Sequence, residues 1–397
     1  MKIVVGVSGS IAAYKAVELV NQLHKRGDEV RVIMTEHATN FVQPLTFESI
    51  AHTTVIHSMF GMQSAAALEH IALAKWADVC IVAPADANVI AKMAYGFADD
   101  FLTTFILAFG GPVLVAPAMN TVMYHQKVTQ RNLGLLQDAG YEIVSPASGT
   151  LACGDVGEGK LADIPALLYA LEKSVTAQSL AGMRLIVTAG PTVGAIDPVR
   201  YVTNHSSGKM GFSIAREAAL RGAEVTLVAG QVQRATPYGV ARVDVATTEE
   251  MLDAIAELLE KADGLIMAAA PADYTPREFH EEKIKKAGDE LTITFKKNPD
   301  ILKTLKPMLS DKIVVGFAAE SHQLLENAAK KLHEKNLDFI VANNIAGEHS
   351  AFQSDYNRAT LIFKDGRQEI VPEQLKTQLA DKILDEIVYI RRQKEER

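Results

Sequence analysis

Two sets of residues in this chain have types and spacings suited to chemistry. The first centres on a thiol, Cys153, in Ser148-Gly149-Thr150-Leu151-Ala152-Cys153-Gly154-Asp155-Val156-Gly157-Glu158-Gly159-Lys160. Glycines at 149, 154, 157 and 159 disfavour a stable helix or strand, so this stretch reads as a flap delivering a thiol onto a bound substrate. A free cysteine is more often a small buried hydrophobe. That description suits Cys80, between Val79 and Ile81 in a strand pattern, and suits Cys153 poorly. His70 is a candidate acid–base, although a lone histidine on a helix is more often structural. Asn120 follows Pro117-Ala118-Met119 at a strand end. Its neutral amide would bind a carboxylate, or serve as an ordinary turn asparagine.

Near the start, Ser8-Gly9-Ser10-Ile11 opens a helix. Amides at a helix start favour a phosphate, and the alternative is a tight turn that needs glycine. The full G-x-G-x-x-G spacing is missing, so a mononucleotide such as a flavin phosphate fits better than a dinucleotide.

The second set lies in the long loop Gly190–Gly211. Its Gly208-Lys209-Met210 is not the Gly-Lys-Ser/Thr of a P-loop. Ser206, Ser207, Gly208 and Gly211 at a helix start still suit a triphosphate cradle, and Arg200 and Asn204 are donors for an anionic ligand. Asp273 follows an apolar run, where a carboxylate would hold Mg²⁺ or a ribose hydroxyl. Lys283-Ile284-Lys285-Lys286 and Lys296-Lys297-Asn298-Pro299-Asp300 read as anion clamps or as a solvated charged hairpin.

These residues need a scaffold, and the chain begins one twice. Ile3–Val7 and Leu185–Ala189 each read as a buried strand leading through a turn or loop into a helix and a second strand. Further strands are expected at Val30–Met34, Val79–Val82, Val113–Ala116 and Glu142–Val144. In the second half they fall at Val225–Val228, Leu265–Ala268, Ile313–Phe317, Phe339–Ala342 and Leu361–Phe363. Alternation with helical patterns predicts an α/β protein with two Rossmann-like parallel-sheet domains in tandem, at 1–175 and 183–397. The break falls in the polar, small-residue stretch 172–182. In the first helix, Ile11, Tyr14, Val17, Val20 and Leu23 are expected on one apolar face. The charged tail Arg391–Arg397 is expected to fray. Ligands of such sheets sit beyond the carboxyl ends of the strands, where most of the candidate residues fall.

Composition sets outer limits. With 48% hydrophobic residues the 397-residue chain has material for sizeable cores. A formal net charge of −8 argues against bulk nucleic-acid binding. No apolar run approaches the roughly 20 residues of a membrane span. Two cysteines make no disulfide framework, which points to a reduced, cytoplasmic protein.

Taken together, Gly9-Ser10-Ile11, His70, Ala83-Pro84-Ala85-Asp86-Ala87-Asn88, Pro117-Ala118-Met119-Asn120-x-x-Met123 and Cys153 resemble the flavin-dependent cysteine decarboxylases over residues 1–170. The resemblance implies a flavodoxin-like domain with FMN as cofactor. It implies His70 as acid–base, Asn120 as carboxylate binder and Cys153 as flap thiol. Gly9, Ser10, Ile11, Thr35, Ala83, Pro84 and Asn88 would line the flavin site, with Met119 against the substrate. The chain departs from the family at Tyr124, where tryptophan is usual, and at Asp86 and Val89.

The second half is similar to the phosphopantothenate–cysteine ligase domain. The matching motifs are Ala189-Gly190-Pro191-Thr192, Asp197-Pro198-Val199-Arg200-Tyr201, Asn204–Gly211, Ala272-Asp273-Tyr274, Lys283–Lys286, Lys297–Asp300 and Gly316–Glu320. Departures fall at Gly194-Ala195 and Thr275. This resemblance implies activation of 4′-phosphopantothenate by CTP with Mg²⁺, through an acyl-cytidylate that the amine of cysteine attacks. Lys283 would meet phosphate and developing charge, with Lys285 beside it. Asn204 and Arg200 would hold the acyl intermediate, and Ser206, Ser207 and Gly208 the phosphates. Asp273 would bind metal or ribose, and the backbone at Ala269, Ala270 and Phe317 would read the base. The fused order is that of the bifunctional enzymes of coenzyme A biosynthesis, which implies a homo-oligomer with trimers of flavin domains, dimers of ligase domains and a dodecamer overall. The competing readings are a regulatory flavoprotein with repurposed sites and an NAD-dependent oxidoreductase, the latter disfavoured by the missing dinucleotide fingerprint.

Overall fold

The computed structural model describes residues 1–59, 69–285, 290–320, 324–344 and 354–396. It divides into two units, Met1–Thr176 and Ala177–Arg397.

The first unit runs β1 (Lys2–Val7), α1 (Ala13–Lys25), β2 (Glu29–Met34), α2 (Pro44–Ala51), α3 (Glu69–Trp76), β3 (Val79–Ala85), α4 (Ala87–Tyr95), α5 (Phe101–Ala108) and β4 (Val113–Pro117). It continues through α6 (Thr121–His125), α7 (Lys127–Asp138), β5 (Glu142–Ile143), β6 (Ala147–Thr150), β7 (Val156–Lys160) and α8 (Ile164–Val175). Five parallel strands form a sheet in the order β2-β1-β3-β4-β5. Helices α1 and α8 cover one face, and α4, α5 and α7 the other. Cover on both faces is why β1, β3 and β4 are near-continuous apolar runs. Strand order reverses between β1 and β3, and that switch opens a crevice at their carboxyl ends.

Two expectations for this unit are corrected. Helix α1 starts only at Ala13 and buries Ala13, Ala16, Leu19, Val20 and Leu23. Ile11 is 57% and Tyr14 62% exposed. Ile11 precedes the helix, and residues spaced by three drift around a helix of 3.6 residues per turn, so Tyr14 has left the face that Val20 and Leu23 share. The Cys153 segment, expected to lack regular structure, is an antiparallel hairpin of β6 and β7 with Cys153 in its turn. Its glycines do not break the strands; Gly149, Gly154 and Gly159 take φ of 151°, 91° and 126°, and so permit the hairpin's irregular path.

The second unit runs β8 (Arg184–Ala189), β9 (Val193–Ala195), β10 (Tyr201–Thr203), α9 (Lys209–Leu220), β11 (Glu224–Ala229), β12 (Val240–Asp244), α10 (Thr248–Leu259), β13 (Gly264–Met267), β14 (Tyr274–Pro276) and β15 (Phe295–Lys297). It ends with α11 (Ile301–Leu305), β16 (Ile313–Glu320), α12 (Leu324–Glu334), β17 (Phe339–Asn344), β18 (Tyr356–Phe363), β19 (Gln368–Leu375) and α13 (Lys376–Glu395). The sheet order is β12-β11-β8-β13-β16-β17-β18-β19. Six strands are parallel, and β18 and β19 join antiparallel, so the sheet is mixed rather than wholly parallel. Strand β18 also starts earlier than expected. Its first residues alternate exposed and buried, which hides them from a search for apolar runs. Helices α9 and α13 pack on one face, and α10, α11 and α12 on the other.

The charged tail does not fray before Glu395. Arg391 pairs with Glu395 one turn on, and Lys394 reaches the Lys312 carbonyl and Asp338. Among the described residues, no helix is long and apolar enough to cross a membrane.

Candidate functional site

In the first unit, three strand-end loops are tied together by serine. The Ser8 hydroxyl donates to the Pro84 carbonyl at 2.9 Å and accepts from the Asp86 amide at 2.8 Å. The Ser10 hydroxyl donates to the Ala118 carbonyl at 3.3 Å. Gly9 packs so closely that an added Cβ would lie 2.6 Å from the His37 Cβ. The turn after β1 is thus locked against the loops after β2, β3 and β4, at the crevice. Thr35 spends its side chain capping the 3-10 turn Glu36–Asn40 through the Ala38 amide. Ala83 and Pro84 are buried within β3, and Pro84 acts on the turn through its carbonyl. Asn88 is exposed on the first turn of α4, and Ile11 beside the crevice. Asp86 departs from the family but caps α4 by accepting from the Val89 amide at 2.8 Å, so the helix start is kept.

Asn120 caps α6 with its Oδ1, which accepts from the Val122 amide at 2.8 Å. That contact frees its Nδ2 to turn the other way. Nδ2 donates to the Cys153 sulfur at 3.3 Å and to Asp155 Oδ2 at 2.7 Å, and the thiol itself lies 3.3 Å from the same Asp155 oxygen. The hairpin is positioned by a backbone bond from the Met119 amide to the Gly159 carbonyl at 2.9 Å. Asp155 was not singled out from sequence; its place two residues after Cys153, beyond a turn glycine, was the available signal. Cys153 is exposed, whereas Cys80 is fully buried and its thiol is pushed far up by desolvation. His70 lies on α3, its ring edge-on to Phe101 with centroids 6.4 Å apart.

In the second unit, a cavity of about 870 Å³ lies at the carboxyl ends of β8, β13, β16 and β17. Asn204, Ser206, Ser207, Gly208, Ala269, Ala270, Asp273 and Phe317 all line it. Asn204 donates from Nδ2 to the Ala270 and Pro271 carbonyls at 3.1 and 3.2 Å. Buried Thr192 holds the 269–273 loop. Its hydroxyl accepts from the Ala272 amide and shares a 2.8 Å bond with Thr248, which in turn donates to the Ala272 carbonyl. Gly208 takes φ +72°, and Gly211 lets α9 approach β8, since a Cβ there would lie 2.5 Å from the Thr188 carbonyl oxygen. Gly194 and Thr275, the family departures, face each other: a Cβ on Gly194 would come within 2.9 Å of the Thr275 Oγ1.

Three candidates sit differently from the expectation. Arg200 is paired with buried Asp197, Nη2 to Oδ2 at 2.6 Å, and also donates to the Ile284 carbonyl. Asp197 accepts the Ile284 amide at 3.1 Å. The Arg200 guanidinium therefore holds the Asp197 carboxyl well below the usual carboxylate range, with backbone amides adding to it. Lys283 and Lys285, on either side of Ile284, are exposed and outside the lining of the cavity; Lys286 lies outside the described residues. The cationic groups that do line the cavity include Lys209, Lys297, Lys331, Lys335 and Lys376, of which Lys209 and Lys297 stand in motifs read from the sequence. Lys331 and Lys335 were legible as an i, i+4 pair on an amphipathic helix.

Both implied cofactors can be tested against these residues. The Ser8–Ser10 turn, its hydroxyls spent on the Pro84 and Ala118 carbonyls, leads into the start of α1 beside exposed Ile11, a position whose backbone amides suit the phosphate of a flavin mononucleotide. Among the described residues no group of three or more His, Cys, Asp or Glu side chains gathers as a metal cage. Exposed Asp273 on the cavity wall fits Mg²⁺ in its usual nucleotide role, held by one or two carboxylates and phosphate oxygens.

Two family models match different stretches of the chain. Residues 1–176 match the family model described as flavoprotein, and residues 180–390 match the DNA/pantothenate metabolism flavoprotein C-terminal domain. The chain is 45% identical over 388 residues to the coenzyme A biosynthesis bifunctional protein CoaBC of Haemophilus influenzae, covering 97% of this chain and 96% of that protein. It is 45% identical to the protein of the same name from Escherichia coli K12, over 98% of this chain and 96% of that one. Among solved structures, the C-terminal domain of a CoaBC protein is similar at 38% identity with a TM-score of 0.48, covering 55% of this chain and all of that one.

Proposed function

The chain belongs to the family of bifunctional coenzyme A biosynthesis proteins, and from that premise we propose which unit performs which step and with which residues. The second unit is the phosphopantothenate–cysteine ligase, a carbon–nitrogen ligase using CTP. The first is the phosphopantothenoylcysteine decarboxylase, a carboxy-lyase. Ligation comes first and decarboxylation to 4′-phosphopantetheine second, both in the cytoplasm.

In the ligase, the Asn204 amide and the Ala269–Asp273 backbone hold the carboxylate of 4′-phosphopantothenate near the nucleotide α-phosphate, and most of the rate follows from that placement. Ser206, Ser207 and Gly208 receive phosphate oxygens at the start of α9. Asp273 would hold Mg²⁺, and the chemistry that ion would supply is neutralisation of phosphate charge. Lys283 and Lys285, exposed outside the cavity lining, would meet developing charge only once the arm anchored at Ile284 brings them in. Phe317 and the backbone at Ala269 and Ala270 face the base. Arg200 acts indirectly, by fixing that arm.

In the decarboxylase, Gly9, Ser10, Ile11, Thr35 and Asn88 surround FMN, with Ala83 and Pro84 shaping the wall behind them. FMN, when bound, supplies the two-electron oxidation of the substrate thiol that makes loss of the carboxylate feasible, and the return of those electrons. The chain's own residues position and protonate. Asn120 donates to the substrate carboxylate, Met119 packs against the substrate, Cys153 protonates the product sulfur or carbon from the flap, and His70 exchanges protons with bulk water.

The observation that carries the reading is the convergence of Asn120, Cys153 and Asp155 beside the switch-point crevice, in the same chain as an Asn204-lined cavity. The test is direct. Purified yellow protein given 4′-phosphopantothenate, cysteine, CTP and Mg²⁺ should release CO₂ and form 4′-phosphopantetheine. Bound flavin without turnover would defeat the reading and favour a regulatory flavoprotein. For quaternary structure we infer trimers of flavin units joined by dimers of ligase units, a dodecamer readable by mass in solution.

A further inference from the structure

The decarboxylase reading gives the amide of Asn120 to the substrate's carboxylate, yet a carboxylate of the chain itself already sits on that amide. Asn120 Oδ1 accepts from the Val122 amide at 2.8 Å, which fixes the way the side-chain amide faces. Its Nδ2 carries two hydrogens. Nδ2 donates to Cys153 Sγ at 3.3 Å and to Asp155 Oδ2 at 2.7 Å, so both are spent on the hairpin turn. The shorter contact is the one to the carboxylate, as befits a bond with one charged partner.

The turn is built to present these two side chains together. The Leu151 amide donates to the Asp155 carbonyl at 2.8 Å, and the Gly154 amide to the Leu151 carbonyl at 2.9 Å. Gly154, at φ +91°, lets the chain reverse between Cys153 and Asp155. The thiol therefore also lies 3.3 Å from Asp155 Oδ2. Further along β7, Glu158 lies 3.4 Å from His125 at the end of α6, and the Gly159 carbonyl accepts the Met119 amide. Asp155 is exposed, and among the described residues no cation pairs with it. Only the Asn120 amide, the thiol and water offset its charge.

Resting on the reading of Asn120 as carboxylate binder, we propose that Asp155 is a stand-in for the substrate's carboxylate. It fills the Asn120 donor when no substrate is bound, and it presses on the substrate carboxylate that displaces it. Its backbone is tied to Leu151, so the displaced side chain stays close by. Two like charges then compete for one amide, which weakens binding of the carboxylated substrate. As the bond to the carboxyl carbon breaks, its electron pair stays on the substrate and CO₂ leaves uncharged. The repulsion is relieved as that step proceeds. Asp155 then returns to Asn120, and the product, which has no carboxylate there, does not compete for it.

Decarboxylation of supplied phosphopantothenoylcysteine by the full-length, flavin-loaded protein tests this. Asp155→Ala should lower KM for that substrate about fivefold, the scale of an exposed charge interaction. It should lower kcat by a similar factor, because a joint fall marks the loss of ground-state strain. Asp155→Asn keeps an acceptor and removes the charge, so it should fall between the parent and Asp155→Ala. Inhibition by 4′-phosphopantetheine should show the same Ki in all three proteins. A KM that rises or stays unchanged in both variants overturns the stand-in; a kcat loss without a KM fall would mark mere support of the flap. A Ki that moves in step with KM overturns it as well. Asn120→Ala separates this proposal from its premise: the parent's KM and kcat in that variant would overturn the reading of Asn120 itself.

Discussion

The side-chain amide of Asn120 donates to the sulfur of Cys153 at 3.3 Å across the crevice end of the first unit. The two residues belong to different elements, a helix cap and a hairpin turn, and they meet because Gly159 is bonded back to Met119. Cys153→Ser keeps the size of the group and removes its acidity. It should slow decarboxylation by at least about a hundredfold, the usual weight of a positioned proton donor, and leave cysteine ligation unchanged. Measuring CO₂ release and ligated product in one reaction separates the two. Equal loss of both activities would contradict the assignment of the thiol to the decarboxylase.

Gly159 carries a more severe constraint. At φ +126° its place is poor for any other residue, and a Cβ would lie 2.4 Å from the Met119 carbonyl oxygen. Gly159→Ala should cost about 1–3 kcal/mol locally and displace the hairpin. The expected signature is a decarboxylase loss close to that of Cys153→Ser, with flavin content and ligation retained. Gly154→Ala, which meets nothing within 4 Å at φ +91°, should be the milder change in the same assay.

Asp197 links acid tolerance to the ligase arm. Its carboxyl is held down by Arg200 and by amides that include Ile284, so its contribution to stability is present above the unfolded carboxylate range and is lost as pH falls through its depressed value. Asp197→Asn should weaken the hold on Ile284 and release the segment bearing Lys283 and Lys285. Ligation should fall while flavin absorbance and decarboxylation of supplied phosphopantothenoylcysteine stay unchanged. The variant should also show a flatter dependence of melting temperature on pH in the acid range. A parent-like ligation rate would show that the arm needs no anchor.

Lys376 predicts an alkaline response. Its pKa is lowered to about 8 by desolvation, then by Lys209 and Arg234, against the opposing pull of Asp355. The folded side chain therefore loses its proton well before the unfolded one, so unit stability gains from this group as pH rises between about 8 and the usual lysine range. Lys376→Met should flatten the dependence of melting temperature on pH across that range. The same slope in both proteins would assign the pH effect to another group.

Much of the scaffold was readable because it rests on short-range physics. Apolar runs such as Val79–Val82 mark strands covered on both faces, and turn glycines mark their ends. The motifs around Asn120, Cys153 and Asn204 could be found because each is local in sequence. What escaped was relational. Strand β18 alternates because one of its faces is less covered, and so carries no run to detect. Lys376 looks like any surface lysine in the string Leu375-Lys376-Thr377; only the fold buries it, with its ammonium on the Ser354 carbonyl. Arg200 reads equally well as a substrate clamp, and the structure commits it to Asp197 because that carboxylate is buried three residues away.

The bond between Met119 and Gly159 has one more implication, for the flap as a tether. A thiol attached a few residues from its anchor works as an intramolecular reagent, whose effective concentration at Asn120 is fixed by loop length and not by the amount of protein. Short flexible tethers correspond to concentrations in the millimolar range. A free thiol added to Cys153→Ser protein would have to reach about that level before it could stand in for the missing side chain, and lengthening the turn between β6 and β7 should dilute the native thiol in the same way.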